Sequence, residues 1–482
     1  MSILTILVSL VFIINFILAG FLVFLERKDP SATWAWLLVL FFIPVLGFIM
    51  YLVLGQNLRK KRLFVWEDLK RIGFDDLVKE QLKLISAGEY TYSTNVATKH
   101  QDMIRMQLKN NNAILTQDNE IEIFIDGNDK FQSLIQDIEN AKDHIHLQYY
   151  IFRDDKLGMK LIDLLTEKAK QGIEVRVLYD EMGSRRINKR SFNKLIKAGG
   201  EVEVFFPSKI PLFNVRANFR NHRKLVIIDG KVAYVGGFNV GDEYLGLNKK
   251  FGYWRDTHLR IQGNAVHATQ IRFILDWNQA SSRNDIDYKP NYFPLTSHNG
   301  NIPIQIVTSG PDSEWEQIKN GYIKMISSAK KSIYIQSPYF VPDASILDTL
   351  RIAALSGINV YIMIPNKPDH MFVYWATLSY VGELLKAGAK VYIYENGFIH
   401  AKTIVVDEEV STVGTANFDV RSFRLNFEVN AFIYDEATAK RLTDIFHEDM
   451  KKSRELTYEE YLKRSLWIRF KESISRLLSP IL

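Results

Sequence analysis

His222-Arg223-Lys224-Leu225-Val226-Ile227-Ile228-Asp229-Gly230, with Gly236 and Asn239 beyond it, returns later as His400-Ala401-Lys402-Thr403-Ile404-Val405-Val406-Asp407, with Gly414 and Asn417. Five residue types keep one spacing, His-x-Lys-x4-Asp-x6-Gly-x2-Asn. One such run would say little, because a lone strand histidine is usually structural and an Asp before Gly is usually a turn residue. Two runs at matching places in one chain demand a common role. Leu225 to Ile228 and Thr403 to Val406 are apolar and mostly β-branched, so each run is expected on a strand. Side chains two apart on a strand share a face. Each run therefore presents an imidazole beside an ammonium, and Asp229-Gly230 reads as a hairpin turn.

The flanks repeat as well, in units near 121–290 and 303–460. Ile138-Glu139-Asn140-Ala141-Lys142 is matched by Ile326-Ser327-Ser328-Ala329-Lys330. A strand follows each, Ile145 to Tyr150 and Ile333 to Tyr339. An amphipathic helix then ends at Gly172 or Gly357, and another strand follows. Helix and strand alternate, which predicts an α/β fold: two similar lobes, each a mixed sheet flanked by helices, about a pseudo-twofold axis. Lobe 1 is expected over 121–300 with its motif at 222–239. Lobe 2 is expected over 301–482 with its motif at 400–417.

If the lobes pair symmetrically, two histidines and two lysines meet at one site. That set suits phosphodiester chemistry. Lysines neutralise non-bridging phosphate oxygens. One neutral imidazole attacks phosphorus. The other gives a proton to the leaving alcohol and takes one from the incoming alcohol. The lysines do the electrostatic work, so no metal or other cofactor is expected.

The N-terminus is of another kind. Ile3 to Leu25 is almost pure hydrocarbon, Glu26-Arg27-Lys28-Asp29-Pro30 breaks it, and Ala32 to Leu54 resumes it. Each run has the roughly 20 residues that a bilayer-crossing helix needs. No basic residue precedes the first run and no small-x-small site ends it, which disfavours a cleaved leader. Residues 1–57 are therefore expected to form a transmembrane helical hairpin of helices near 3–25 and 32–54. Residues 58–120 are expected to be a basic helical linker. Arg59-Lys60-Lys61-Arg62 carries no acid, so by the positive-inside rule the cluster and the lobes after it face the cytoplasm. The protein is then a multi-pass protein of the cell membrane. The net charge of +6 favours an anionic partner, and the absence of cysteine excludes disulfides and thiolate chemistry.

The paired motif is similar to the signature of the phospholipase D superfamily over about residues 121–450. The resemblance implies that His222 is the nucleophile and His400 the general acid/base. It implies that Lys224, Lys402, Asn239 and Asn417 bind phosphoryl oxygens, and it places Asp229 and Asp407 with the catalytic set, where a structural role is the alternative. It also implies an acid in each repeat that orients that repeat's histidine, here Asp256 and Glu428. A hydroxyl residue often follows the motif glycine; Thr415 fits, whereas Gly237 departs.

Arg27 to Trp36, Gly236 to Tyr244 and Gln336 to Pro342 together resemble bacterial cardiolipin synthases over nearly the whole chain. The implied reaction joins two phosphatidylglycerol molecules into cardiolipin and glycerol through a phosphatidyl-histidine, at an anionic membrane and without nucleic acid. The alternatives are a hydrolytic phospholipase D, another phosphatidyltransferase or, behind these, a nuclease. Pro211 to Arg216 and Met371 to Trp375 are candidate lipid-facing segments, with core packing as the alternative. The C-terminal Leu466 to Leu478 sets Leu466, Trp467, Phe470, Ile474, Leu477 and Leu478 on one helical stripe. It reads either as an interfacial helix or as a cap on lobe 2.

Overall fold

The computed structural model describes residues 3–21, 30–43, 46–47, 50–51, 73–207, 218–281, 284–295 and 300–479. The chain divides into two compact units. One holds Met1–Arg62 with Ser208–Phe219 and Pro311–Glu314, and the other holds the rest.

In the first unit, α1 (Ile3–Phe21) and α2 (Pro30–Phe42) are apolar helices. The Asn15 side-chain amide donates to the Leu40 carbonyl at 3.1 Å, so the one strongly polar side chain of α1 ties the two helices together. Leu40 and Tyr51 are buried with Trp36 and Leu18 against them. Phe16, Ile17, Trp34, Phe41 and Phe42 are exposed. Among the described residues no helix is long and apolar enough to cross a membrane. The expected spans are thus not seen at full length. Residues 22–25 and 52–54, which would complete them, lie outside the described residues, as does the basic cluster at 59–62.

Among the described residues the second unit is built on one mixed 16-stranded sheet, with two separate two-stranded parallel ladders beside it formed by Trp254–Arg255 with Phe398–Ile399 and by Phe340–Val341 with Phe418–Asp419. Lobe 1 supplies β1 (Thr116–Phe124), β2 (His144–Tyr149), β3 (Glu174–Asp180), β4 (Glu201–Phe205), β5 (Arg220–Asn221), β6 (Leu225–Ile228), β7 (Val232–Gly236), β8 (Trp254–Arg255) and β9 (His258–Gln262). Lobe 2 supplies β10 (Ile302–Ser309), β11 (Ser332–Gln336), β12 (Phe340–Val341), β13 (Asn359–Pro365), β14 (Lys390–Tyr394), β15 (Phe398–Ile399), β16 (Thr403–Val406), β17 (Val410–Gly414), β18 (Phe418–Asp419), β19 (Asn426–Ile433) and β20 (Ser453–Leu456). The lobe 1 order is β1-β9-β7-β6-β2-β3-β4, and lobe 2 repeats it as β10-β19-β17-β16-β11-β13-β14, with β20 added at the edge. The halves join where β1 pairs antiparallel with β10. The apolar strands are buried on both faces, as a sheet covered by helices requires.

The covering helices in lobe 1 follow the chain as α5 (Gly127–Asn140), α6 (Lys156–Lys170) and α7 (Ala265–Ala280). Those in lobe 2 are α8 (Gln317–Ser328), α9 (Ala344–Leu355), α10 (Met371–Lys386), α11 (Glu436–Met450) and α12 (Leu466–Leu477). The apolar stripes of α5 and α6 build the lobe 1 core, and those of α8, α9 and α10 build the lobe 2 core.

The expected linker at 58–120 needs correction. It contains α3 (Phe74–Ala87) and α4 (Gln101–Asn111), and β1 begins at Thr116. Val78, Ile85, Met103, Ile104 and Leu108 pack into the lobe 2 core with Ile318, Tyr322 and Met325. Residues 74–111 form a helical layer of lobe 2 that precedes lobe 1 in the chain, and 58–72 lie outside the described residues.

Candidate active site

Two short ladders bring the motifs together. β5, which leads into His222, pairs in parallel with the start of β19, which leads into Glu428. The His222 amide donates to the Phe427 carbonyl at 2.9 Å. β15, which leads into His400, pairs in parallel with β8, which leads into Asp256. The His400 amide donates to the Arg255 carbonyl at 2.7 Å. Each histidine is thereby laid beside the acid of the other lobe.

The side chains follow. His222 Nδ1 lies 3.0 Å from the Glu428 carboxylate and 3.1 Å from the Thr415 carbonyl. His400 Nδ1 lies 2.6 Å from Asp256 Oδ2. The expectation that each acid orients its own repeat's histidine is corrected: the pairs are crossed. With two acceptors at His222 Nδ1, that nitrogen holds the proton and Nε2 keeps its lone pair. Tyr150 meets the His222 ring edge-on at 4.7 Å between centroids, and Trp254 lies 5.1 Å from His400.

Both imidazoles are buried, and the lysines are more so. Lys224 Nζ donates to the His222 carbonyl at 2.7 Å, and Lys402 Nζ donates to the His400 carbonyl and lies 2.9 Å from His400 Nδ1. Burial pushes the ammonium of Lys224 down to about 7, with the Lys402 charge lowering it further, and burial pushes that of Lys402 down to about 8 against the pull of Asp256 and Glu428. Burial also holds His222 well below the ordinary histidine range, helped by Lys224, Lys402 and His400. One field thus links both motifs.

The two orienting acids differ. Burial lifts Glu428 to about 7 despite Lys224. Burial opposes the Asp256 anion as well, but Lys402 and His400 outweigh it and hold that carboxyl below its usual range. Burial and Lys402 lower His400, and Asp256 pulls it back. His222 therefore sits beside a partly protonated acid, and His400 beside a firm anion.

Asp229 and Asp407 do not join this cluster. Asp229 lies at the far end of β6, with Asp229 and Gly230 both at positive φ in the turn. Its carboxylate accepts the amides of Lys142, Asp143 and His144 at 2.8–3.2 Å. Asp407 accepts those of Lys330, Lys331 and Ser332 at 2.7–2.9 Å. Each pins its hairpin to the loop before the neighbouring strand, so their place in the catalytic set is corrected to a structural one. That explains their fixed spacing, because both ends of a strand of set length must meet fixed partners.

Asn239 and Asn417 lie beyond β7 and β17, at the histidine end of the sheet. The Asn239 side-chain carbonyl accepts the Ile151 amide at 3.0 Å, and its amide donates to the Tyr244 hydroxyl at 3.2 Å. Asn417 is buried with its side-chain oxygen unpartnered among the described residues.

The departure at Gly237 has a steric cause. A Cβ there would lie 1.9 Å from Asp256 Oδ1. In lobe 2 the longer Glu428 leaves room for Thr415, whose hydroxyl donates to it at 2.5 Å. Asp with Gly and Glu with Thr are two solutions to one volume.

Other partners were not singled out from sequence. Asp276 on α7 binds Arg223 at 2.7 Å and Gln148 at 2.7 Å. Asp449 on α11 binds Arg255 at 2.8 Å and Gln336 at 2.9 Å. These buried networks hold the residues next to His222 and Asp256. Gln148 and Gln336 carried a signal, since they occupy one place in the repeated strands. Asp276 and Asp449 carried none. Of the candidate lipid-facing segments, Pro211 to Arg216 lies outside the described residues. The cavity of about 650 Å³ in this unit is lined by α3, α7 and the 288–295 stretch, away from both histidines.

Comparison with known proteins agrees with this geometry. The family described as cardiolipin synthase, PLD-like domain, matches residues 134–256 and 322–450, and a phospholipase D-nuclease N-terminal family matches 7–56. The chain is 67% identical over 482 residues to the major cardiolipin synthase ClsA of Bacillus subtilis (strain 168), covering 100% of both. It is 60% identical to the cardiolipin synthase of Listeria welshimeri, again over 100% of both. Among solved structures, the phosphatidylserine synthase of Haemophilus influenzae Rd KW20 matches with a TM-score of 0.60 at 16% identity, covering 79% of this chain and 100% of that one, a likeness of fold. With both histidine motifs inside the matched family and full-length relatives at this identity, the chain belongs to the cardiolipin synthases of the phospholipase D superfamily.

Proposed function

We propose that this enzyme transfers a phosphatidyl group between two phosphatidylglycerol molecules, giving cardiolipin and glycerol. The observation that carries the reading is the unequal pair of imidazoles beside two buried lysines. His222, the less basic and oriented through Nδ1, attacks phosphorus through Nε2. The P–O bond to glycerol breaks, and His400, whose protonated form the Asp256 anion supports, delivers the proton to the leaving oxygen. A terminal hydroxyl of the second lipid then returns a proton to His400 as it attacks phosphorus, and the P–N bond breaks. Lys224 and Lys402, with Asn239 and Asn417, hold the non-bridging oxygens. A phosphate entering between the lysines offsets the burial that weakens their charge.

The apolar runs 3–25 and 32–54 enter the membrane in this reading, supported by the exposed aromatic surface of α1 and α2. The lobes then face the cytoplasm, where the lipid substrate's headgroup is offered.

The test is detergent-purified protein given phosphatidylglycerol as sole lipid, without nucleotide. Cardiolipin and glycerol should appear in equal amounts, and both should be lost in His222→Ala and His400→Ala. Phosphatidic acid without cardiolipin would replace this reading with hydrolysis.

A further inference from the structure

The C-terminal helix α12 is mounted with its polar side inward. Glu472 and Ser475 are its buried residues. Arg464 closes on Glu472 at 2.9 Å, Arg476 pairs with Glu383 of α10, and Ser479 accepts a hydrogen bond from Tyr380 at 3.2 Å. The opposite face carries Leu466, Trp467, Phe470, Ile474 and Leu477, which are 82%, 64%, 54%, 39% and 76% exposed. A helix that merely capped lobe 2 would bury that stripe and leave its polar side in water. Here the ion pairs hold the helix and five large apolar side chains are left facing out.

We propose that this face of α12 docks on the surface of an anionic bilayer. The chemistry fits lipid better than protein. Trp467 and Phe470 stack with centroids 5.5 Å apart, as a flat aromatic plate at headgroup depth would. Lys471 flanks the stripe, its ammonium 5.5 Å from the Trp467 ring and 5.1 Å from that of Trp375 on α10, where a long cationic side chain reaches headgroup phosphates. Exposed Arg469 lies on the other flank. The surface also continues toward the site. α10 opens with exposed Met371 and Phe372, and just before it Asp369 bonds the Tyr339 hydroxyl and acts on Lys402. Docking through α12 would set the mouth of the site against the membrane that holds its substrate, which deepens the proposed function and rests on it.

The chain has no cysteine, so Phe470→Cys in the full-length protein accepts a single nitroxide label. Lys170→Cys, at an exposed position ending α6, is the aqueous reference. In phosphatidylglycerol vesicles the label at 470 should meet dissolved oxygen more often, and a water-soluble nickel reagent less often, than the label at 170. Equal access to nickel at both positions, or dipolar broadening from a second label at 470, would overturn the proposal; the latter would mean that another copy covers the face. Leu466→Ser, Phe470→Ser and Leu477→Ser combined touch no core residue. Transfer from vesicles should fall about tenfold while transfer in mixed micelles stays unchanged; an unchanged vesicle rate would also overturn it. The label readout needs no turnover. Lipid contact without cardiolipin formation in the wild type would sink the reaction and leave the surface standing.

Discussion

At the level of single residues, the site spends stability on charge. Lys224 and Lys402 are lowered to about 7 and about 8 in the folded chain, against 10.5 when unfolded. Protonating them therefore costs the folded state more than the unfolded one. The penalty is full below about 7, shrinks as pH rises through the folded values, and is gone above the unfolded one. Lys224→Met should then stabilise the ligand-free enzyme below neutral pH by on the order of a few kcal/mol, and raise its melting temperature accordingly. Added inorganic phosphate should stabilise the wild type and leave Lys224→Met unchanged. Calorimetry with and without phosphate checks both, and a melting temperature lowered in Lys224→Met would refute the account. The same groups shape the rate. Loss of the lysine protons should drop kcat/KM on the alkaline side, and protonation of Glu428 near 7 should drop it on the acid side. Glu428→Gln should remove the acid limb from the pH profile.

At the level of elements, the short ladders β5–β19 and β15–β8 decide which acid serves which histidine. Asp256→Asn should impair His400, the proposed proton donor, by roughly 10²–10⁴ in kcat. A phosphatidyl ester with a nitrophenol leaving group, which departs without a proton, should recover much of the first step. Glu428→Gln acts through His222, the proposed nucleophile, so the same ester should rescue it little. Equal rescue of both variants in burst kinetics would contradict the crossed assignment. Asp229→Ala and Asp407→Ala should behave differently again. Each strips acceptors from three backbone amides, so each should cost about 1–3 kcal/mol of stability. Per-molecule activity at low temperature should survive. Denaturant melts beside active-site titration separate the two effects. The spacing that singled out these aspartates was legible in sequence, but their role was not, because a turn carboxylate and a catalytic one look alike until their partners are known.

Across the whole molecule, two lobes of one strand order share a single sheet and complete each other's site. Mixed His222→Ala and His400→Ala chains should therefore show no restored cardiolipin formation, since both histidines of a site belong to one chain. Recovery of activity on mixing would mean that sites form between copies. The duplication itself, the α/β class and the four motif histidines and lysines followed from the sequence, because periodicity and repeated spacing are local properties. So did the apolar character of the N-terminus and the stripe on the last helix. Tertiary structure decided the rest. It set Asp256 on His400 and Glu428 on His222, and it joined Asp276 to Arg223 and Asp449 to Arg255. It drew α3 and α4 out of an expected linker into the lobe 2 core, and it turned the stripe of α12 outward. Each of these depends on which surfaces meet between segments far apart in the chain, and the physical reason it was hidden is that burial and ion pairing are fixed by the partner's position, which no local pattern encodes.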